Sequence, residues 1–178
     1  MTLVRWVSSP LLVSLLAVPV AAQDANPLTT STKSAYESVK AYIVKSAEKM
    51  PEEQFGFEPT PDVRTFGQLL GHIANANYMI CARAAGETSP STENIEKTKT
   101  TKTDLIAALN AAFAYCDGVW AKTTDASGIE VVDFFNRKQP RLAVLVFNTA
   151  HDYEHYGNLV TYLRIKGIVP PSSEGRGM

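Results

Sequence analysis

His151 and His155 stand four residues apart in the run His151-Asp152-Tyr153-Glu154-His155. On a helix that spacing sets two side chains on one face, one turn apart. The chain has three histidines in all, and the third, His72, falls in a different predicted helix. Val144, Asn148, His151, His155, Leu159 and Tyr162 follow one another at intervals of three or four, the pattern of a stripe that faces a core. Leu69, His72, Ala76, Met79 and Arg83 make the corresponding stripe around His72. An imidazole on such a stripe needs a partner, because an unsatisfied buried polar group is costly. One divalent cation shared by three neutral imidazoles would be that partner. The alternative is three ordinary core histidines that are hydrogen-bonded and bind nothing. The metal reading gains from the fact that all three lie on inward stripes and none is spent on the surface.

Three protein ligands with the remaining positions open make a catalytic kind of site, since structural sites are usually closed by protein. A metal held this way polarises an oxygen, or makes a nucleophile by lowering the pKa of a bound water or thiol. Zinc, nickel and iron all suit imidazole, so the metal's identity is open. Asn148 and Asn158 fall about one turn to either side of the histidine pair, and Asn75 one turn after His72. They are candidates to orient ligands or hold a substrate; taken singly, each also reads as a partly exposed helix residue. Asp152 and Glu154 flank the ligand face and read as solvated charges, with a general-base role open to Glu154, and Tyr153, Tyr156 and Tyr162 read as packing or dimer surface.

The elements that must position these residues are helical. Tyr36, Val39, Ile43, Ala47 and Met50 repeat at three and four, predicting a first helix that starts near Ser31 or Thr32 and stops at Pro51. A proline-rich loop reaches Arg64. Thr65-Phe66-Gly67-Gln68 then matches a capping box, opening a second helix that runs to about Ala85, with Gly86 as its left-handed terminator. Glu87–Thr100 is polar and long for a helical hairpin. A third helix follows to about Lys122, burying Leu105, Leu109, Ala112 and Cys116. Val131 to Phe135 is β-prone but short and without an evident partner, so it reads as irregular. The fourth helix spans roughly Pro140 to Lys166, and the tail after Pro171 reads as mobile. Four amphipathic helices without a convincing strand predict an all-α fold, a four-helix bundle.

Cys81 and Cys116 are the only cysteines. Each sits about 15 residues, or roughly 22 Å, into its helix. A disulfide requires Cα atoms within about 7 Å, which parallel second and third helices allow and antiparallel ones do not. A Cys81–Cys116 bond therefore predicts an up-down-down-up order with Glu87–Thr100 as the long crossover. Two buried, unbonded thiols are the alternative.

Residues 1–22 carry Arg5, an apolar stretch from Leu11 to Val18 and then Val20-Ala21-Ala22, the layout of a secretory signal peptide. Pro10 and Pro19 interrupt the run, which falls short of the ~20 residues of a membrane span. The expectation is an exported, periplasmic or secreted, domain of residues 23–178 in a disulfide-permissive compartment. Lys plus Arg is 17 against 18 for Asp plus Glu, so there is no basic footprint for nucleic acid.

The run from His151 through Tyr156-Gly157-Asn158-Leu159 to Arg164, closing on Lys166-Gly167-Ile168-Val169-Pro170-Pro171, resembles the last helix of DinB-like proteins. Phe66-Gly67-Gln68-Leu69-Leu70-Gly71-His72-Ile73-Ala74 resembles their second helix, and the Met50–Pro61 loop is also similar. The resemblance covers essentially the whole mature chain. It implies an up-down-down-up bundle, a divalent metal on His72, His151 and His155, and frequently a homodimer. It also implies a metal-dependent enzyme, since relatives include transferases that use a low-molecular-weight thiol, and others are regarded as hydrolases. Export weighs against the thiol cofactor, which is mainly cytosolic. The competing class is a non-catalytic exported bundle that binds metal for stability, sequestration or stress.

Overall fold

The computed structural model describes residues 24–175. Six helices and one hairpin follow in order: α1 Pro27–Lys49, α2 Phe66–Ala85, α3 Ile95–Thr98, α4 Lys102–Lys122, α5 Asp125–Gly128, β1 Val131–Phe134, β2 Arg137–Pro140 and α6 Arg141–Ile165. The four long helices form the bundle, and their side-chain contacts give its directions. Gly67 lies against Leu105 near the starts of α2 and α4, and Cys81 is bonded to Cys116 near their ends, with Cα atoms 5.4 Å apart. Those two helices are therefore parallel. Tyr36 stacks on Trp120 while Lys102 reaches the carbonyls of Glu48 and Met50, so α1 and α4 are antiparallel. Tyr153 meets Ala35 and Tyr42 stacks on Tyr156, so α1 and α6 run together. The order is up-down-down-up, and α3 lies within the crossover.

The core is the meeting of these stripes. Tyr36, Val39 and Ile43 from α1, Leu70 and Ile73 from α2, Leu109 and Trp120 from α4, and Leu145 and Leu159 from α6 are all essentially inaccessible. Burying side chains of this size contributes about 1.5–3 kcal/mol each. The Thr65–Gln68 capping box is present on both sides, and Gly86 ends α2 at φ 75°.

Four expectations need correction. The first helix begins at Pro27 rather than near Ser31. The Asp125 carboxylate accepts from the backbone N–H of Leu28 and of Thr29, so a residue far along the chain caps this helix, while Pro27 at its first position is the local signal for the earlier start. Second, Val131–Phe134 is a true strand paired antiparallel with Arg137–Pro140. The partner strand is polar, and the turn places Phe135 and Asn136 at φ 45° and 62°, a left-handed pair suited to a tight hairpin. Third, the tail is held as far as Glu174: Ser172 exchanges hydrogen bonds with the Tyr156 hydroxyl, and Glu174 pairs with Lys49. Fourth, Met79 and Arg83 are exposed, so the α2 stripe turns outward beyond Ala76. The signal-peptide expectation concerns residues outside those described. Among the described residues no helix is long and apolar enough to cross a membrane.

Candidate metal centre

The capping box fixes the start of α2 two turns before His72. The start of α6 places His151 and His155 three to four turns along an antiparallel neighbour. The three rings meet there. His151 Nε2 lies 3.3 Å from His72 Nε2 and 3.0 Å from His155 Nε2, and one nitrogen from each ring falls within 4.8 Å of the others. At zinc–nitrogen lengths of about 2.0–2.1 Å, angles of about 90–110° at an ion set two nitrogens about 2.9–3.4 Å apart. The two separations from His151 lie in that interval, and the third pair is within 4.8 Å. His155 is buried and the other two are half-buried, so the site sits at the rim of the core rather than in it.

Hydrogen bonding alone does not satisfy these nitrogens. Glu96 Oε2 lies 3.3 Å from His72 Nδ1, which selects the tautomer protonated there and turns the Nε2 lone pair toward His151. Asn158 Nδ2 lies 3.4 Å from His155 Nδ1 and donates to it, which leaves the His155 proton on Nε2, facing His151. If that proton is given to His151 Nε2, the His72 Nε2 lone pair faces the same nitrogen and finds no donor there. His151 Nδ1 is itself buried without a partner. Burial is the largest cause lowering the pKa of all three rings, with the Arg64 charge adding to it, and His155 is brought down to about 3. All three are thereby held neutral at pH 7, the state a metal ligand needs. The donor set fits a divalent cation.

Glu96 reaches His72 because Gly71 lets α3 approach. A Cβ at Gly71 would stand 2.6 Å from Glu96 Cα and 2.8 Å from its backbone nitrogen, closer than packed atoms come. Asn75 completes the seat by accepting from the Ile95 backbone N–H at 3.1 Å, so its side chain faces α3 and not the centre between the rings. Asn158 is exposed and adjoins His155. Asn148 is fully buried, and so is Asp152, which corrects the reading of both as partly solvated. Asn77 Nδ2 donates to Asp152 Oδ1 at 2.8 Å, and Asn148 Nδ2 donates to Asn77 Oδ1 at 2.8 Å and to Asp152 Oδ2 at 3.3 Å. Glu154 and Tyr153 are exposed, as expected of flanking positions, whereas Tyr156 and Tyr162 are buried.

Sequence reasoning missed Arg64, Gly71, Asn77 and Glu96. Ile95, the lone aliphatic of Glu87–Thr100, was the available signal that this crossover docks. In front of His155 opens a cavity of about 620 Å³, walled by Arg64, Glu96, Asn158 and Tyr162 among others.

Among curated proteins none matches the chain. Solved structures that share its fold include three DinB-like or conserved bacterial proteins. A DinB-like protein from Bacillus cereus aligns with a TM-score of 0.69 at 19% identity, over 80% of this chain and 95% of that one. A DinB-like protein from Bacillus subtilis gives 0.64 at 21%, over 77% and 92%. A conserved protein from Enterococcus faecalis gives 0.63 at 15%, over 78% and 96%. The family model described as DinB superfamily matches residues 35–159, and the chain belongs to that superfamily.

Proposed function

We propose that this protein is an exported metal-dependent enzyme, of thiol-transferase or hydrolase type, in which His72, His151 and His155 hold one zinc, nickel or iron ion. The observation that carries the reading is the convergence of three ring nitrogens from two helices beside a cavity large enough for a metabolite. Cavities of roughly 300–1,000 Å³ are the usual size of small-molecule sites. A purely structural metal would be closed in by protein, and here His155 faces open space. The disulfide and the N-terminal sequence support export. A homodimer is the expected assembly.

When bound, the ion would supply Lewis-acid character and lower the pKa of whatever water or thiol meets it. The chain's own residues do the remainder. Glu96 holds the tautomer that turns the His72 lone pair inward, and Asn158 adjoins His155 Nδ1. Arg64, Gln68, Asn158 and Thr161 present polar atoms to the cavity, while Tyr162 and Leu69 give it an apolar wall. Glu96, the carboxylate against His72, is engaged by His72 and Arg64, so it is not itself a free base for an attacking water.

The test is metal analysis of untagged protein and of His151→Ala, with turnover measured on thiol-acceptor and ester panels. One exchangeable metal per chain, lost together with thiol-dependent turnover in the variant, is the expected result. A metal with no exchangeable position, or turnover indifferent to the substitution, would leave a non-catalytic exported metal-binding bundle.

A further inference from the structure

We propose that Arg64 sets the substrate class, and that the cavity takes a small molecule bearing a carboxylate. The inference rests on that cavity being the substrate site of the reading above. Arg64 is the one lysine or arginine lining it. Its Nε donates to Glu96 Oε1 at 2.9 Å, and among the described residues its two Nη groups have no further partner. The side chain stays 42% exposed, so the outer edge of the guanidinium is available as a two-pronged donor, the shape that matches a carboxylate.

Its position is built rather than incidental. The Tyr162 hydroxyl donates to the Arg64 carbonyl at 2.6 Å, and the next residue, Thr65, caps α2. Glu96 holds Arg64 with one oxygen and His72 with the other, so the guanidinium and the histidine cluster are fixed to a common carboxylate. A ligand whose acid group sits on Arg64 is thereby aimed with its other end at the rings. Asp62 and Glu96 stand in the same wall. Their charge opposes a dianion more than a monoanion, which selects a carboxylate over a phosphate.

The experiment titrates 3-mercaptopropionate, 3-mercaptopropan-1-ol and inorganic phosphate into zinc-loaded and metal-free protein, following the side-chain amide signals of Gln68 and Asn158 by NMR. The acid is expected to bind roughly 10- to 100-fold tighter than the matched alcohol, the range of charge-assisted hydrogen bonds. Phosphate is expected to bind more weakly than the acid. Arg64→Gln should bring the acid-to-alcohol ratio near one with zinc content unchanged. Arg64→Lys, which keeps the charge and loses the fork, should fall between and serves if the glutamine variant does not fold. A wild-type ratio near one, a ratio that survives both substitutions, or tighter binding of phosphate overturns the proposal. Protein that takes up no zinc yet prefers the acid removes the metal reading and leaves this one standing.

Discussion

On α6 two consecutive residues, His151 and Asp152, open onto two polar regions of the same helix pair that are built in opposite ways. The Asp152 region is closed. Asn77 and Asn148 give it their amide donors and bond to one another, and the disulfide covers it, with Cys116 Sγ 3.3 Å from Asn77 Oδ1. The His151 region is left incomplete by the protein itself. Its nitrogens face one another, one ring nitrogen has no partner, and a cavity adjoins it. A polar cluster bonded mainly within itself and shut off from solvent specifies structure, even with Asn148 Oδ1 left without a partner. One whose lone pairs converge on a point asks for a ligand from outside. Both types of residue look alike on a helical wheel, and only the partners across the helix pair separate them.

The sharpest way to break that comparison is to remove the middle ligand. His151→Ala is expected to weaken zinc binding by roughly a hundredfold to a thousandfold, about 3–4 kcal/mol, while the urea midpoint of metal-free protein moves little. Zinc retention by the variant would mean that the rings do not share an ion. Asp152→Ala is the mirror experiment. It leaves the Asn77 and Asn148 amides buried and short of an acceptor, so unfolding free energy should fall by about 3 kcal/mol. The molecules that remain folded should still bind one zinc. A variant as stable as wild type would show that the closed network contributes nothing to structure.

A smaller effect lies between the regions, at the seat of α3. Glu96→Gln removes the charge behind His72, and supporting residues of this kind are worth about 10- to 100-fold in metal affinity. Gly71→Ala should reproduce most of that loss without touching a polar atom, because the added methyl meets the α3 backbone and moves Glu96. Metal affinity measured by competition with a chromophoric chelator distinguishes the outcomes. Equal affinity in Gly71→Ala and wild type would detach α3 from the site.

How far this was legible in the sequence follows from where each cause lies. The histidine stripes and the capping box are periodic or local features, and the Cys81–Cys116 bond, although it spans 35 residues, is announced by the chain's two cysteines; from these come the bundle, its helix order and the three converging rings. Asp125 capping α1, Glu96 behind His72 and the Asn77–Asp152 pair are contacts between residues far apart in sequence, and no pattern around either partner announces them. The β2 strand is the clearest case. Arg137–Pro140 has no strand propensity, and it pairs because the Phe135–Asn136 turn folds it back onto Val131–Phe134. Asn148 was misjudged for the same reason: an asparagine on an inward stripe is buried when another helix supplies its partner.

The finest distinction between the two regions is the sign of their response to pH in metal-free protein. The three histidines titrate lower in the fold than their ordinary 6.5, His155 down to about 3. The unfolded chain therefore takes up protons first as pH falls, and the stability they contribute above pH 6.5 is lost toward pH 3. Asp152 is the reverse: burial raises it from 3.8 to about 8, against the pull of the Asn77 amide. Here the folded protein holds the proton that the unfolded chain has released, so stability from this residue is lost as pH rises from about 4 to about 8. Between pH 4 and 6.5 the two slopes oppose and the wild-type profile flattens. Urea unfolding with chelator present, at intervals from pH 4.5 to 8, separates them. Asp152→Asn should gain stability relative to wild type as pH rises through that window, and His155→Gln should gain relative to wild type as pH falls below 6.5. If both variants shift in the same direction with pH, the two regions do not differ in the protonation state that the fold imposes on them.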